Sequence, residues 1–124
     1  MTSNPRSRWI RVGGVIAIGL LVYASLSGAA AQPRTVLGWE LEHFIGYFLV
    51  TLIACFAWPR PLVVAAALVV VAGLLEGLQA LTPDRHPNLT AALCGAGGAL
   101  VAAVVAELFI RAQRRRPLEE RKSR

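Results

Sequence analysis

The chain alternates between four long apolar blocks and short polar connections that contain proline. The blocks cover residues 12–31, 41–58, 62–81 and 89–110. A bilayer hydrocarbon core of about 30 Å needs roughly 20 helical residues, so each block is long enough to cross it. Helices satisfy their backbone hydrogen bonds internally, which isolated strands in hydrocarbon do not. The pattern predicts an all-α membrane protein with four transmembrane helices in an antiparallel bundle, in which short connections make consecutive helices neighbours.

Composition and charge narrow the class of protein further. Of the 124 residues, 56% are hydrophobic and 16% are charged, whereas charged residues make up about a quarter of typical soluble domains. Only Glu42, Glu76 and Glu107 among the charged residues lie inside the blocks. These features exclude a single-domain soluble enzyme and a disordered tail, and two cysteines are too few for a disulfide framework. Cys55 and Cys94 lie at different predicted depths, so we expect free thiols.

Basic residues lie mostly on one side of the predicted bundle. Arg34 and Arg85 lie on one side. The other side holds eleven of the 13 Lys and Arg residues: Arg6, Arg8, Arg11, Arg60, Arg111, Arg114, Arg115, Arg116, Arg121, Lys122 and Arg124. The positive-inside rule then predicts that both termini are cytoplasmic, with basic tails at 1–11 and 111–124 around a transmembrane domain at 12–110. The tails are interpreted as topology anchors that contact anionic lipid, and no nucleic-acid partner is expected.

The first block permits a second interpretation. Its basic start, its apolar stretch and the sequence Gly28-Ala29-Ala30-Ala31-Gln32 also resemble a secretory signal with an Ala-x-Ala cleavage site. The block is 20 residues long, whereas the apolar region of a signal usually has about 7 to 15. A retained helix is therefore the preferred interpretation, and cleavage stays open.

Ionisable and polar groups inside a membrane helix are costly, so each calls for a partner or a function. Glu107 lies four residues before Arg111 and is expected to pair with it. Glu76 and Gln79 are three residues apart, which puts their side chains about 60° apart around the helix. Small residues on the same arc predict that this pair lies on a close-packing face. They are Gly73, Gly77 and Ala80.

Block four carries two ladders of small residues that predict close approach by another helix, in this chain or in a homo- or hetero-oligomer. They are Ala91, Gly95, Ala99, Ala103 and Cys94, Gly98, Ala102, Ala106.

The remaining polar groups gather at one predicted depth, on the extracytoplasmic side. His43 and Tyr47 share a face at the start of block two, and Glu76 and Gln79 lie at the end of block three. Thr51 lies one turn beyond Tyr47. The turn at 83–88 holds Asp84, Arg85, His86 and Asn88, and Thr90 opens block four. We therefore predict a shallow polar pocket roofed by that turn. Its candidate ligand-binding residues are His43, Tyr47, Glu76, Gln79, Arg85 and Thr90.

Two interpretations of this layer stay open. One is a binding site in which the planar guanidinium of Arg85 contacts an anion, Glu76 holds Arg85 or takes a proton, and His43 hydrogen bonds at the rim. The other is a network, with Glu76 paired to Arg85 or His43, that only fastens the loop to the bundle. No metal or catalytic motif has the required spacing, and neither a metal nor a cofactor is expected. A lipid headgroup or a cell-envelope precursor is the expected ligand; a small membrane enzyme and a structural or assembly partner are the alternatives.

The ordered combination of motifs resembles the VanZ-like family of small bacterial membrane proteins over about residues 39–104. The motifs are His43-Phe44 with Tyr47, Glu76-x-x-Gln79, Pro83-x-Arg85, and Thr90 ahead of a glycine-rich helix. The resemblance implies the multi-pass fold, the shared polar layer and the bacterial inner membrane. Because the founding member is associated with reduced sensitivity to teicoplanin, it also implies a link to envelope or glycopeptide response.

The predicted topology can be tested by thiol labelling. In a chain whose two native cysteines are replaced by alanine, Arg85→Cys should react with a membrane-impermeant reagent from the extracytoplasmic side. Arg60→Cys, the control, should react only after the membrane is permeabilised. Labelling of position 85 solely from the cytosol would overturn the assignment.

Overall fold

The computed structural model describes residues 5–27, 38–81 and 88–122. Within these ranges the chain forms four helices and no strand. They are α1 (Pro5–Leu26), α2 (Trp39–Ala57), α3 (Pro61–Gln79) and α4 (Leu89–Lys122). Each is long and apolar enough to cross a bilayer. The predicted all-α, four-helix architecture is confirmed.

Two helices extend beyond the apolar blocks. Helix α1 begins at Pro5 and ends at Leu26, whereas the apolar pattern predicted 12–31. Helix α4 continues to Lys122, past the predicted end at residue 110. Arginine is a good helix former and proline is tolerated in the first turn, so the basic flanks can continue the helices into the interface. The candidate signal cleavage site at 28–32 lies outside the described residues.

The connection between α2 and α3 is a tight turn, as its prolines predict. The Trp58 N–H donates to the Ala54 carbonyl at 2.8 Å, and the Arg60 N–H donates to the Trp58 carbonyl at 2.7 Å. Pro61 then occupies the first turn of α3, where its missing N–H costs nothing. At the other end of α2, Gly38 has a φ of 85°, a conformation that glycine adopts without a side-chain clash.

Helix α2 makes its most extensive contact with α4, and only a small one with α3. The two run parallel, since Phe44 lies beside Gly97 near one end and Phe56 meets Phe109 edge-on near the other. The short connections predicted that consecutive helices are neighbours. The structure adds a contact between helices that are not consecutive. The central contact pairs α2 with the helix two positions later, and α3 packs on α4 beside it.

Helix α1 closes the bundle against α2 and touches α3, and no contact with α4 occurs in the described part of the chain. It runs antiparallel to α2, because Gly14 faces Trp58 while Leu21 lies near Gly46. Helix α1 is therefore packed into the bundle as one of its four helices.

Small residues set the closeness of α2 and α4. A Cβ at Gly98 would overlap the Phe44 carbonyl oxygen and lie 3.1 Å from the Phe48 nitrogen. A Cβ at Gly95 would lie 2.9 Å from the Tyr47 ring. The five alanines of the two ladders are buried, as close approach by another helix predicts, whereas Cys94 is only half-buried. Glycine is needed at both positions because backbone or an aromatic ring occupies the space.

The predicted close-packing face of α3 is wrong in part. Glu76 and Gln79 are buried, but Gly73, Gly77 and Ala80 are exposed, and a Cβ at either glycine would meet no atom within 4 Å. The three small residues occupy one half of the predicted arc, and Glu76 and Gln79 occupy the other half. The buried stripe instead follows the regular helical spacing of Ala65, Leu68, Ala72, Leu75 and Gln79.

Large apolar side chains cover the outside of the bundle. Leu62, Leu74, Leu93 and Leu108 are each more than half exposed, and many others on the four helices are similar. A continuous apolar surface of this kind is unfavourable in water and favourable in hydrocarbon. The surface therefore fits a multi-pass membrane protein.

The close contact between Gly98 and the α2 backbone predicts that a methyl group added at this position lowers the stability of the bundle, whereas one added at an open position does not. Gly98→Ala should destabilise the bundle by about 1–3 kcal/mol, since the new Cβ forces α2 and α4 apart. Gly77→Ala, the matched control, should leave stability unchanged or raise it by up to about 1 kcal/mol. Thermal unfolding of the purified protein in detergent measures both. Equal losses in the two variants would contradict the packing.

Candidate functional site

Polar groups from α1, α2, α3 and the residue that precedes α4 meet at one end of the bundle. This end holds the last turns of α1 and α3 and the first turns of α2 and α4. The group, called the polar cluster below, consists of Ser25, Tyr47, Glu76, Gln79 and Asn88. It forms because the helix directions alternate, so that chain ends from distant parts of the sequence lie at one level.

Gln79 ties α3 to α1. Its side chain is only 2% exposed, and its Nε2 donates to the Ser25 carbonyl at 2.8 Å. Its Oε1 is buried and accepts no hydrogen bond from any described residue. One half of the amide is therefore satisfied, and the other half is a buried acceptor that no described residue uses.

Glu76 ties α3 to the start of α4. The residue is 8% exposed, and its Oε1 accepts the backbone N–H of Asn88. The Asn88 Oδ1 in turn accepts the Thr90 N–H at 3.0 Å, which is the usual action of an asparagine N-cap. A carboxylate at a helix N-terminus is also favoured by the helix dipole. Glu76 therefore stabilises the entry into α4.

Tyr47 completes the cluster from α2. It is 3% exposed, its hydroxyl is hydrogen bonded to the Ser25 side chain, and it lies close enough to Glu76 for the two to interact electrostatically. Its ring packs on Gly95 of α4. The tyrosine thus links α1, α2 and α4, and the missing side chain at Gly95 makes room for its ring.

Three of the six predicted site residues, Tyr47, Glu76 and Gln79, converge in the cluster. His43 does not join them: its Nδ1 lies 3.1 Å from the Trp39 carbonyl oxygen, and its ring centre lies 4.7 Å from that of Trp39. No His43–Glu76 hydrogen bond or ion pair occurs in the described part of the chain, which leaves Arg85 as the other partner that the fastening network offered for Glu76.

The two predicted site residues nearest the α3–α4 turn are Thr90 and Arg85, and neither is seen to place its side chain in the cluster. The Thr90 side chain is exposed, and the residue takes part through its backbone N–H. Arg85 lies outside the described residues, as does most of the turn at 83–88. Its expected contacts with an anion or with Glu76 stay predictions.

Sequence reasoning missed Ser25, and it placed Asn88 in the polar turn and Thr51 beside Tyr47 without counting either as a site residue. Ser25 lies near the end of the first block, at the depth of Gln79, and its position could have been noticed from that depth. Asn88 directly before an apolar block is a typical helix N-cap. Thr51 lies one turn further along α2 than Tyr47; it is 0% exposed, and its hydroxyl has no hydrogen-bond partner among the described residues. Its spacing of four residues from Tyr47 places it on the same face of α2.

The chemistry of the polar cluster is that of an acceptor site. Glu76 offers carboxylate oxygens and Gln79 a free amide oxygen, both of which bind N–H or O–H donors. Among the described residues, no three His, Cys, Asp or Glu side chains form a group that could hold a metal ion.

Two further predictions are confirmed, one for an ion pair and one for the cysteines. Glu107 is bound to Arg111, with the Arg111 Nε donating to Oε1 at 2.7 Å, far along α4 from the cluster. Cys55 and Cys94 are both free. Neither feature belongs to the polar cluster.

Comparisons with protein-family models, curated proteins and solved structures found no match to this chain. The resemblance to the VanZ-like family therefore stays a prediction from its motifs.

Two nearly isosteric substitutions compare a buried polar group that is hydrogen bonded, in Gln79 of the polar cluster, with one that is not, in the neighbouring Thr51. Gln79→Leu should lower the free energy of unfolding by about 1 kcal/mol, because it removes the bond to the Ser25 carbonyl. Thr51→Val should leave it unchanged or raise it by up to about 1 kcal/mol, since the buried hydroxyl makes no hydrogen bond. Unfolding in detergent, followed by circular dichroism, measures both. A stable Gln79→Leu protein beside a destabilised Thr51→Val protein would contradict the assignment.

Proposed function

We propose that this multi-pass membrane protein binds the polar headgroup of a lipid, or of a lipid-linked cell-envelope precursor, at the polar cluster. The observation that carries the proposal is the buried Gln79 Oε1, to which no described residue donates, one helical turn from the buried Glu76 carboxylate. An acceptor left unsatisfied in an apolar surrounding costs free energy. A ligand that supplies an N–H or O–H group there recovers that cost.

The acceptors define which part of the ligand enters the cluster. An ammonium group or a hydroxyl group can donate to Gln79 Oε1 and to the second oxygen of Glu76, whereas a bare phosphate cannot. The carboxylate favours a positively charged donor over a neutral one. Arg85, which the sequence predicts in the adjoining turn, would then contact the phosphate of the same headgroup. The preferred ligand is thus zwitterionic or rich in hydroxyl groups.

The predicted topology supports a ligand from the outer half of the membrane. The basic residues assign the cluster to the extracytoplasmic surface, where lipid headgroups and envelope precursors are found. The VanZ-like motifs agree with a bacterial inner-membrane protein that acts in envelope or glycopeptide response.

A second candidate function is purely structural. Gln79 and Glu76 both bind backbone groups of the same chain, the Ser25 carbonyl and the Asn88 N–H. Such bonds fix helix ends without any ligand, as a membrane scaffold or assembly partner requires. The two functions differ in a measurable way, because a scaffold loses stability but not lipid when the cluster is altered.

Lipid binding by glutamate variants tests the proposal. Full-length protein in nanodiscs should retain phosphatidylethanolamine, which has N–H donors, in preference to phosphatidylcholine, which has none. Glu76→Gln should weaken that retention about tenfold, the usual weight of a hydrogen bond to a charged group. Glu40→Gln, an exposed residue in the first turn of α2, controls for charge at the same membrane surface and should have no effect. Native mass spectrometry counts the retained lipids.

The result that would reject lipid binding is equal retention of both lipids by the unaltered protein and by both variants. If Glu76→Gln then lowers the unfolding temperature alone, the structural function stands in its place.

A further inference from the structure

The opposite end of the bundle contains a second polar site, with reversed charge. A cavity of about 270 Å³ lies between the α2–α3 turn and the far part of α4. Arg60, Arg111 and Arg114 line it together with Leu62, Val63 and Ile110, and these six residues are called the basic pocket below. Nothing in the proposed function uses this pocket, since the polar cluster lies at the other end of α3.

Positive charge in the basic pocket comes from two separate elements. Arg60 ends the turn before α3, while Arg111 and Arg114 lie three residues apart on one face of α4. Glu107 also contributes to the lining. Because one carboxylate faces three guanidinium groups, the pocket keeps a net positive charge. An anion that enters it would be contacted from both sides.

Two features position the arginines of α4. Arg111 donates its Nε to Glu107 at 2.7 Å, which leaves its terminal N–H groups for another acceptor. Helix α4 continues without interruption from Leu89 to Lys122, so Arg114 lies on a regular helix rather than on a loose tail. Planar guanidinium groups held in this way match the geometry of a phosphate.

The apolar side of the pocket distinguishes a lipid phosphate from a free one. Leu62 is 74% exposed and Val63 is 63% exposed, and both belong to the first turn of a predicted membrane span. Basic groups beside exposed apolar side chains at the end of a span match the phosphate and the acyl chains of a phospholipid. A soluble phosphate would gain nothing from the apolar wall.

We propose that the basic pocket is a specific site for an anionic phospholipid, which binds through its phosphate to Arg60, Arg111 and Arg114. The lipid lies in the leaflet of the basic residues, which the sequence assigns to the cytoplasmic side. It joins the α2–α3 turn to α4 and thereby fixes the end of the bundle remote from the polar cluster.

Neighbouring arginines on α4 give a matched test. Arg114 lines the pocket, whereas Arg115, which is also exposed, does not. Full-length protein in detergent is titrated with phosphatidylglycerol and examined by native mass spectrometry. Arg114→Gln should weaken binding about fivefold and Arg60→Gln/Arg114→Gln roughly thirtyfold, as expected for one and two basic contacts near an anionic headgroup. Arg115→Gln should bind as the unaltered protein does.

A charge-conserving variant controls for a change in membrane orientation caused by the loss of basic residues. Arg60→Lys/Arg114→Lys keeps the basic side of the protein and therefore its orientation, but it removes two planar guanidinium groups. We expect phosphatidylglycerol binding between that of the unaltered protein and that of the double glutamine variant. Binding equal to the unaltered protein would show attraction by charge alone and would overturn the specific site.

Three further outcomes would overturn the proposal. Equal losses in Arg114→Gln and Arg115→Gln would indicate a diffuse charged surface. Displacement of the lipid by an equal concentration of glycerol phosphate would identify a soluble phosphate as the ligand. A single-stranded oligonucleotide that binds more tightly than the lipid, and is lost in Arg114→Gln, would identify a nucleic acid.

Discussion

The close contact between α2 and α4 determines the rest of the arrangement. It exists because Gly95 and Gly98 leave space for the Tyr47 ring and for the α2 backbone at Phe44. Packing between membrane helices depends on such close approach, since lipid is as apolar as the side chains and supplies no hydrophobic driving force. Once α2 lies on α4, α3 and α1 pack around this pair, and the alternating helix directions bring four chain ends to one level.

The hydrogen bonds of the polar cluster act on this framework. Gln79 and Glu76 bind backbone groups of α1 and α4, and Tyr47 reaches the Ser25 side chain. Each bond joins different helices, which favours one register over others. Among the described residues, Gln79 Oε1 and the Thr51 hydroxyl are then exceptions, because buried polar atoms are nearly always hydrogen bonded. For Gln79 Oε1, a donor from a ligand is the explanation that we propose.

The two ends of the bundle differ in the chemistry that they offer. The polar cluster presents acceptors, and the basic pocket presents donors with positive charge. A zwitterionic or hydroxyl-rich headgroup suits the first, and the phosphate of an anionic lipid suits the second. The long α4 contributes to both, with Asn88 at one end and Arg111 and Arg114 near the other. Under these two proposals, lipids of both leaflets would bind to the same helix.

Sequence alone determined the four spans, the free thiols, the Glu107–Arg111 pair and the layer that holds Tyr47, Glu76 and Gln79, since apolar length, charge placement and helical spacing are local properties. Tertiary structure decided which helices touch. It turned Gly73 and Gly77 outward, kept His43 on its own helix, and brought Ser25 and Asn88 to the buried side chains of α3. The physical reason is that a helix wheel gives relative angles only. The absolute rotation of each helix depends on the partner against which it packs, and that partner is distant in the chain.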